Sequence, residues 1–337
     1  MKRPFIIAEM SANHCGDKSL ALKIIKAAKD AGADAVKIQT YTADTITLNS
    51  KDEIFMTQDD GLWAGQSLYE LYSKAYTPWQ WQSELSDYAK SIGIGFFSTP
   101  FDFSAVDFLE SIDVPMYKIA SFEAIDYALI SYAAKFKKPM IISAGISSFD
   151  EIIEAIQACK KVGNNDITIL KCTSSYPARI EDMNLLTIKD MLEKLTPLGV
   201  KVGLSDHSMS LEVPIVATAL GVSVIEKHFT IDRTLGGEDS GFSLNYDEFK
   251  AMSEAVKNAA LALGKVDYSI NLKNRKSARS LFVAKDMKKG EIFTPENLRS
   301  VRPSNGLHPR YYDEILGKKA KRDLAFATPL KFEDVEL

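Results

Sequence analysis

Short apolar runs alternate with amphipathic segments from residue 5 to residue 264. Eight runs read as strands: Phe5–Met10, Ala35–Thr40, Gly95–Thr99, Met116–Ala120, Met140–Ala144, Ile167–Thr173, Lys201–Ser205 and Val224–His228. They are short and mostly β-branched, as expected of parallel strands covered on both faces. Between them, Ser19–Ala31, Asp150–Val162 and Tyr246–Leu263 carry apolar residues at helical spacing. The first of these begins after Asp17, a capping residue, and stops at Gly32. Eightfold strand–helix alternation predicts a (β/α)8 TIM barrel. A doubly wound open sheet is the competing fold. No GxGxxG follows the first strand, where NHCGD stands instead, and this argues against that sheet.

One connection is longer than the pattern allows. Thr42 to Tyr76 separates the second strand from its helix and contains several aromatic residues. The turn signals Asp60-Gly61 and Pro78 predict an ordered excursion with a short helix over the barrel mouth. After Gly264 the periodicity is lost. The reading is a barrel over 1–264, a polar linker over 265–276 and a small β-rich module over 277–337. The module holds strands at Ser280–Ala284 and Leu298–Arg302, with a short helix near Tyr311–Leu316.

Composition narrows the function classes. The 337 residues are 46% hydrophobic and 26% charged, with net charge −4, so nothing marks a nucleic-acid or anionic-membrane partner. Three cysteines without metal-binding spacing suit reduced thiols in the cytoplasm. MKRPFIIAEM superficially suggests a signal peptide, but Glu9 and Asn13 break its apolar run, and no run is long enough to span a membrane.

Active sites of this barrel lie at the carboxyl ends of the strands. Two runs end in histidine, at His207 and His228. Residues two apart share a strand face, so Ser205 lies with His207 and Glu226 with His228. Neighbouring parallel strands would bring both imidazoles to one pocket suited to Mn²⁺ or another divalent metal; the bland alternative is two satisfied core histidines. Lys37 and Lys118 interrupt apolar strands and must be paired or neutral when buried. Either each pairs with an inward glutamate, or they hold an anion together with Thr99, Ser121, Ser143 and Ser205. Lys118 or Lys171 could instead form a Schiff base. Glu9 and Asp239 are candidate acid–base groups. Thr173, Ser174, Ser175 and Tyr176 end the sixth strand. Lys227 and Cys172 take the outward parity and are assigned no chemistry, and Trp79 and Trp81 read as packing.

Together, IAEMSANHCGD, ADAVKIQTY, FFSTPFD, YKIASFE, GLSDHS, EKHFT, GGEDSGFSL and RPSNG resemble the sialic acid synthase family, in order and across nearly the whole chain. The resemblance implies condensation of phosphoenolpyruvate with an amino sugar to a nine-carbon nonulosonic acid and phosphate. It implies a barrel followed by an antifreeze-like (SAF) domain, in homodimers whose C-terminal domains cover the partner's site. It assigns Lys37, Thr99, Lys118, Ser121, Ser143 and Ser205 to phosphoenolpyruvate. His207 and His228 fall to a divalent metal, Mn²⁺ first and Mg²⁺ or Co²⁺ next. Glu9 and Asp239 fall to catalysis, and Gln39, Phe101, Glu123 and Tyr176 to the sugar, with Arg302 reaching it from the partner. LWAGQSLYELYSKAYTPWQW resembles the pseudaminic acid branch, and Ser174 stands where the N-acetylneuraminate branch usually carries Asn. That implies a 6-deoxy diacetamido hexose. The N-acetylneuraminate and legionaminic acid branches are the alternatives, and a Schiff-base barrel lyase is the reading from another class.

Overall fold

A computed structural model describes residues 3–57 and 63–336, so the Asp60-Gly61 turn lies outside the described residues. The chain divides into two compact units, Met1–Lys265 and Val266–Leu337.

The first unit is a closed barrel of eight parallel strands in chain order. They are β1 (Phe5–Glu9), β2 (Ala35–Thr40), β3 (Gly95–Pro100), β4 (Tyr117–Ile119), β5 (Met140–Ser143), β6 (Ile167–Cys172), β7 (Lys201–Asp206) and β8 (Val224–His228). β8 pairs with β1 and closes the ring, setting Glu9 beside His228, while Glu9 also pairs in register with Lys37 of β2. The predicted helices form at Lys18–Asp30, Phe149–Lys161 and Tyr246–Leu263. Asp17 caps the first by accepting the Ser19 N–H, and a reciprocal Asn245/Glu248 box starts the last.

Ile7, Ala35, Phe97, Ile141, Leu170 and Val224 form an apolar plug, with Met116 packed against it. Side chains two residues apart along a strand share a face. One pleat further toward the carboxyl ends, the same strands therefore present Glu9, Lys37, Thr99, Lys118, Ser143, Cys172 and Glu226, and Ser205 supplies the place in β7. The plug excludes water from below, and this polar ring is the floor of the barrel mouth.

β6 departs from the expected parity. Leu170 belongs to the plug, so Cys172 points inward and Thr173 does not. Thr173 instead accepts the Lys171 ammonium at 2.6 Å. The strand ends one residue earlier than expected, and its polar tail hid the phase. Lys227 does point outward, forming a buried ion pair with Asp206 at 2.6 Å.

The long connection is ordered where described, with helices at Ala43–Ile46 and Leu68–Ala75. In the second unit, β9 (Ser280–Val283) and β10 (Leu298–Val301) pair antiparallel over a small core containing Leu281, Phe293 and Leu330. A helical turn at Leu272–Arg275 lies within the stretch expected to be a plain linker.

Candidate active site

The polar ring is an ionic network. Lys37 Nζ lies 2.5 Å from Glu9 Oε2 and 3.9 Å from Glu226 Oε2, and it donates to Thr99 Oγ1 at 3.1 Å. Lys118 Nζ donates to Ser143 Oγ at 2.7 Å and lies 3.5 Å from Glu226 Oε1, which also accepts from Ser205 Oγ at 3.1 Å. Gln39 reaches Glu9 at 3.4 Å. Both lysines thus have carboxylate partners, as the bland reading of their burial required. Glu226 Oε2 is nevertheless buried without a hydrogen-bond partner, an acceptor that still calls for a donor.

The charges are poised by opposing effects. Burial raises the Glu9 carboxyl to about 7 against the pull of Lys37. For Glu226 burial acts in the same direction, but Lys118 and Lys37 outweigh it and hold the carboxylate ionised. Burial lowers the Lys118 ammonium despite Glu226. On Lys37 burial also presses downward, but Glu226 and Glu9 outweigh it and keep the charge in place.

Beside the lysines lies a hydroxyl cradle. Ser121 Oγ accepts from Gly145 N at 2.9 Å and from Ser174 Oγ at 2.8 Å. A Cβ at Gly145 would come within 2.7 Å of Ser121 Oγ and 3.1 Å of Cys172 Sγ, so the cradle needs glycine there. Two lysines and the hydroxyls of Thr99, Ser121, Ser143, Ser174 and Ser205 suit a multiply charged oxyanion.

His207 and His228 stand at the ends of β7 and β8 with ring centroids 5.4 Å apart. His207 Nδ1 donates to the Thr173 carbonyl at 2.9 Å, so in the neutral ring the lone pair sits on Nε2. Cys172 Sγ lies 3.9 Å from the same Nδ1. Burial and the neighbouring cations push His228 well below its usual range, so it is neutral. Its Nδ1 is buried with no hydrogen-bond partner, a deficit that costs about 1–3 kcal/mol when nothing relieves it. On His207 burial presses downward, but Cys172 and the Thr173 carbonyl outweigh it and raise the imidazole. A divalent cation held by this pair would therefore displace a proton from His207 and meet the orphaned nitrogen of His228, with oxygen at its other positions. Among the described residues no group of three or more His, Cys, Asp and Glu has metal-holding geometry, so such a cation would need water or substrate oxygens. Of the other histidines, His14 is buried against Thr77 and Trp81, and His308 caps a turn in the second unit.

Around the imidazoles stand aromatic rings. Tyr176 lies 4.4 Å from His207, and Phe242 4.8 Å from His228. Phe101 packs on Tyr41 at 5.1 Å. Glu123 Oε2 is buried without a partner, and burial raises its carboxyl to about 7. Asp239 approaches Ala12 N at 3.4 Å, and burial raises its carboxyl too. Arg302 is exposed on the turn after β10 in the second unit. Sequence reasoning saw Trp63 only as one of the aromatics of the long connection and missed Phe242, which ends a single 3-10 turn at Ser240–Phe242. It also passed over Cys172, whose phase was legible from Leu170.

Comparison with known proteins decides the ancestry of this mouth. Residues 24–268 match the NeuB family and residues 278–336 the SAF domain. The chain belongs to the NeuB family. It is 53% identical over 336 residues to the pseudaminic acid synthase of Campylobacter jejuni subsp. jejuni serotype O:23/36 (strain 81-176), covering 99% of this chain and 97% of that one. It is 49% identical over 340 residues to the pseudaminic acid synthase of Helicobacter pylori (strain ATCC 700392 / 26695), covering 100% and 99%. Among solved structures, the N-acetylneuraminic acid synthetase of Leptospira borgpetersenii serovar Hardjo-bovis, in complex with citrate, superposes with a TM-score of 0.72 at 32% identity, covering 81% of this chain and 90% of that one. The NeuB match spans the strands from β2 to β8, and with them most of the polar ring and both imidazoles.

Proposed function

We propose that this NeuB-family chain condenses phosphoenolpyruvate with a 6-deoxy-2,4-diacetamido hexose of the altro series, giving pseudaminic acid and phosphate. The observation that carries the reading is the adjacency of the Lys37/Lys118 oxyanion pocket to the His207/His228 pair at one barrel mouth. The identity to pseudaminic acid synthases over almost the whole chain supports the choice of sugar.

The residues divide the work. Lys37, Lys118 and the hydroxyls of Thr99, Ser121, Ser143 and Ser205 hold the carboxylate and phosphate of phosphoenolpyruvate, a fixed electrostatic arrangement of the kind that dominates many active sites. His207 and His228 would hold a divalent cation, Mn²⁺ by preference. When bound, it supplies Lewis-acid polarisation of the sugar's open-chain aldehyde. Gln39, Phe101, Glu123 and Tyr176 orient that aldehyde toward the enol carbon. A bond forms between C3 of phosphoenolpyruvate and C1 of the sugar. Water adds at C2, and the C2–O bond to phosphate breaks. Glu9, with its raised carboxyl, and Asp239 are the groups that exchange protons with the aldehyde oxygen and the water.

The exposed side chains Phe122, Ile146, Ile180 and Leu186, in the segments that follow β4, β5 and β6, support a mouth covered by a second protein surface. We read that cover as the SAF domain of a partner in a homodimer, with Arg302 reaching the sugar. Three unpaired cysteines and a glycolytic co-substrate support a cytoplasmic enzyme. Among the described residues no helix is long and apolar enough to cross a membrane.

A second reading is favoured by one observation, the downward shift of the buried Lys118 ammonium, which suits a Schiff-base lyase. One experiment separates the two. Phosphate release from phosphoenolpyruvate is followed with the diacetamido altrose, its manno epimer and N-acetylmannosamine, with and without Mn²⁺, beside borohydride trapping with pyruvate. Sugar-dependent phosphate release greatest with the altro sugar supports the proposal. A stable lysine adduct without phosphate release sinks it.

A further inference from the structure

Trp63 lies in the long connection after β2, yet its indole N–H donates to the carbonyl of Glu238, in the loop after β8, at 2.9 Å. Its ring stands 6.2 Å from Tyr176 and 6.3 Å from Phe242. These two rings also contact each other at 5.1 Å; Tyr176 neighbours both imidazoles and Phe242 touches His228. The three rings form a continuous wall that rises from the histidine pair, with Trp63 one ring beyond it. With its N–H committed to Glu238, the indole offers the mouth only carbon.

The other two tryptophans have different work. Trp79 packs on Phe108 and donates to the Tyr41 carbonyl, and Trp81 packs on His14. The mouth's polar groups, Glu123, Gln39 and Asp239, are other side chains than the indole, and Asp239 adjoins the wall through its carbonyl, which accepts the Phe242 N–H at 3.4 Å. A sugar whose aldehyde sits at the imidazoles and whose chain runs along the wall would bring its far carbons to Trp63.

We infer that Trp63 is a specificity-determining residue: its ring, backed by Tyr176 and Phe242, receives the methyl terminus of the sugar and disfavours a hydroxymethyl at that carbon. This rests on the proposed function, because it takes the reacting aldehyde to lie at the histidine pair. The physical basis is desolvation: a hydroxyl pressed against indole carbon loses water and gains no partner. Apolar pockets reject an added hydroxyl only modestly, by about a hundredfold, so the preference is finite and measurable.

The test compares kcat/KM for a 2,4-diacetamido-2,4,6-trideoxyhexose and its 6-hydroxy counterpart in the wild type, Trp63→Ala, Trp63→Phe and Trp63→His. The wild type is expected to prefer the 6-deoxy sugar by about tenfold to a hundredfold. Trp63→Ala should bring the ratio near unity, mainly by losing activity on the 6-deoxy sugar, with the KM for phosphoenolpyruvate unchanged. Trp63→Phe should keep most of the preference. Trp63→His, a ring with an added polar nitrogen, should narrow it, so the question stays decidable if the alanine variant fails to fold. Equal loss on both sugars, or an unchanged ratio in the folded histidine variant, overturns the inference. A wild type that uses both sugars without preference sinks the inference alone. One that releases no phosphate with either sugar sinks the function on which the inference rests.

Discussion

The Lys37 ammonium lies 2.5 Å from a carboxylate oxygen of Glu9 at the floor of the barrel, both side chains almost wholly shielded from water. A buried pair of this kind is weak evidence for stability, since desolvation offsets most of the attraction. Its consequence is a positive charge held in place for an incoming anion. Replacing Lys37 with Met should therefore cost phosphoenolpyruvate recognition on the order of 2–5 kcal/mol. The fold should survive, because Glu9, already near 7, can take up a proton once its cation is gone. An unchanged KM for phosphoenolpyruvate in K37M would remove Lys37 from the anion pocket.

Glu123 predicts a pH signature in stability. Burial raises its folded carboxyl from 4.5 to about 7, so between those values the folded chain keeps a proton that the unfolded chain releases. Its contribution is fully present below pH 4.5 and is lost as pH rises through about 7. The loss is on the order of 3 kcal/mol. Glu123→Gln should match the wild type near pH 4.5 and exceed it in urea-midpoint stability at pH 8, while losing affinity for the sugar. Equal midpoints at pH 8 would mean that the carboxyl is not strained by burial.

Lys227 and Asp206 form an ion pair with no exposed side-chain surface, 2.6 Å apart and on the helix side of β7 and β8. Lys227→Met strands the Asp206 carboxylate and should destabilise the barrel by about 3–5 kcal/mol. At a temperature where the variant is folded, both Michaelis constants should remain near wild type. A selective loss of substrate binding would show that this lysine acts at the mouth.

Arg302 tests the proposed dimer. Arg302→Ala should raise the KM for the sugar and leave that for phosphoenolpyruvate unchanged. If the arginine comes from the partner, mixing R302A with inactive H228A and letting the subunits exchange should restore part of the activity. In such a mixed dimer one mouth has both imidazoles and an intact arginine. Absence of recovery in a mixture proven to contain mixed dimers would place the arginine in its own chain's site.

Much of this was legible from residue order. Strand–helix alternation predicted the barrel because covered parallel strands are short, apolar and regularly spaced. The period of two then placed His207 beside Ser205 and His228 beside Glu226. The same rule failed at Cys172 because the apolar run was extended one residue into its polar tail, and only Leu170 in the plug reveals the true phase. Trp63 was visible only as one aromatic of the long connection and Phe242 not at all, since neither an irregular turn nor a single 3-10 turn has a period to say which way a side chain turns. The ion pairs of Lys37 and Lys118 were foreseeable as a class but not as particular partners, because register around a closed barrel decides which carboxylate meets which ammonium.

The histidine pair carries the most weight, and Mn²⁺ titration followed by electron paramagnetic resonance examines it without reference to turnover. Wild-type protein should bind one Mn²⁺ per chain, release it to EDTA and lose phosphate-forming activity in step, whereas His207→Ala and His228→Ala should remain folded and bind none. Undiminished activity after complete chelation, or wild-type Mn²⁺ binding in either variant, would contradict a cation held by these two imidazoles.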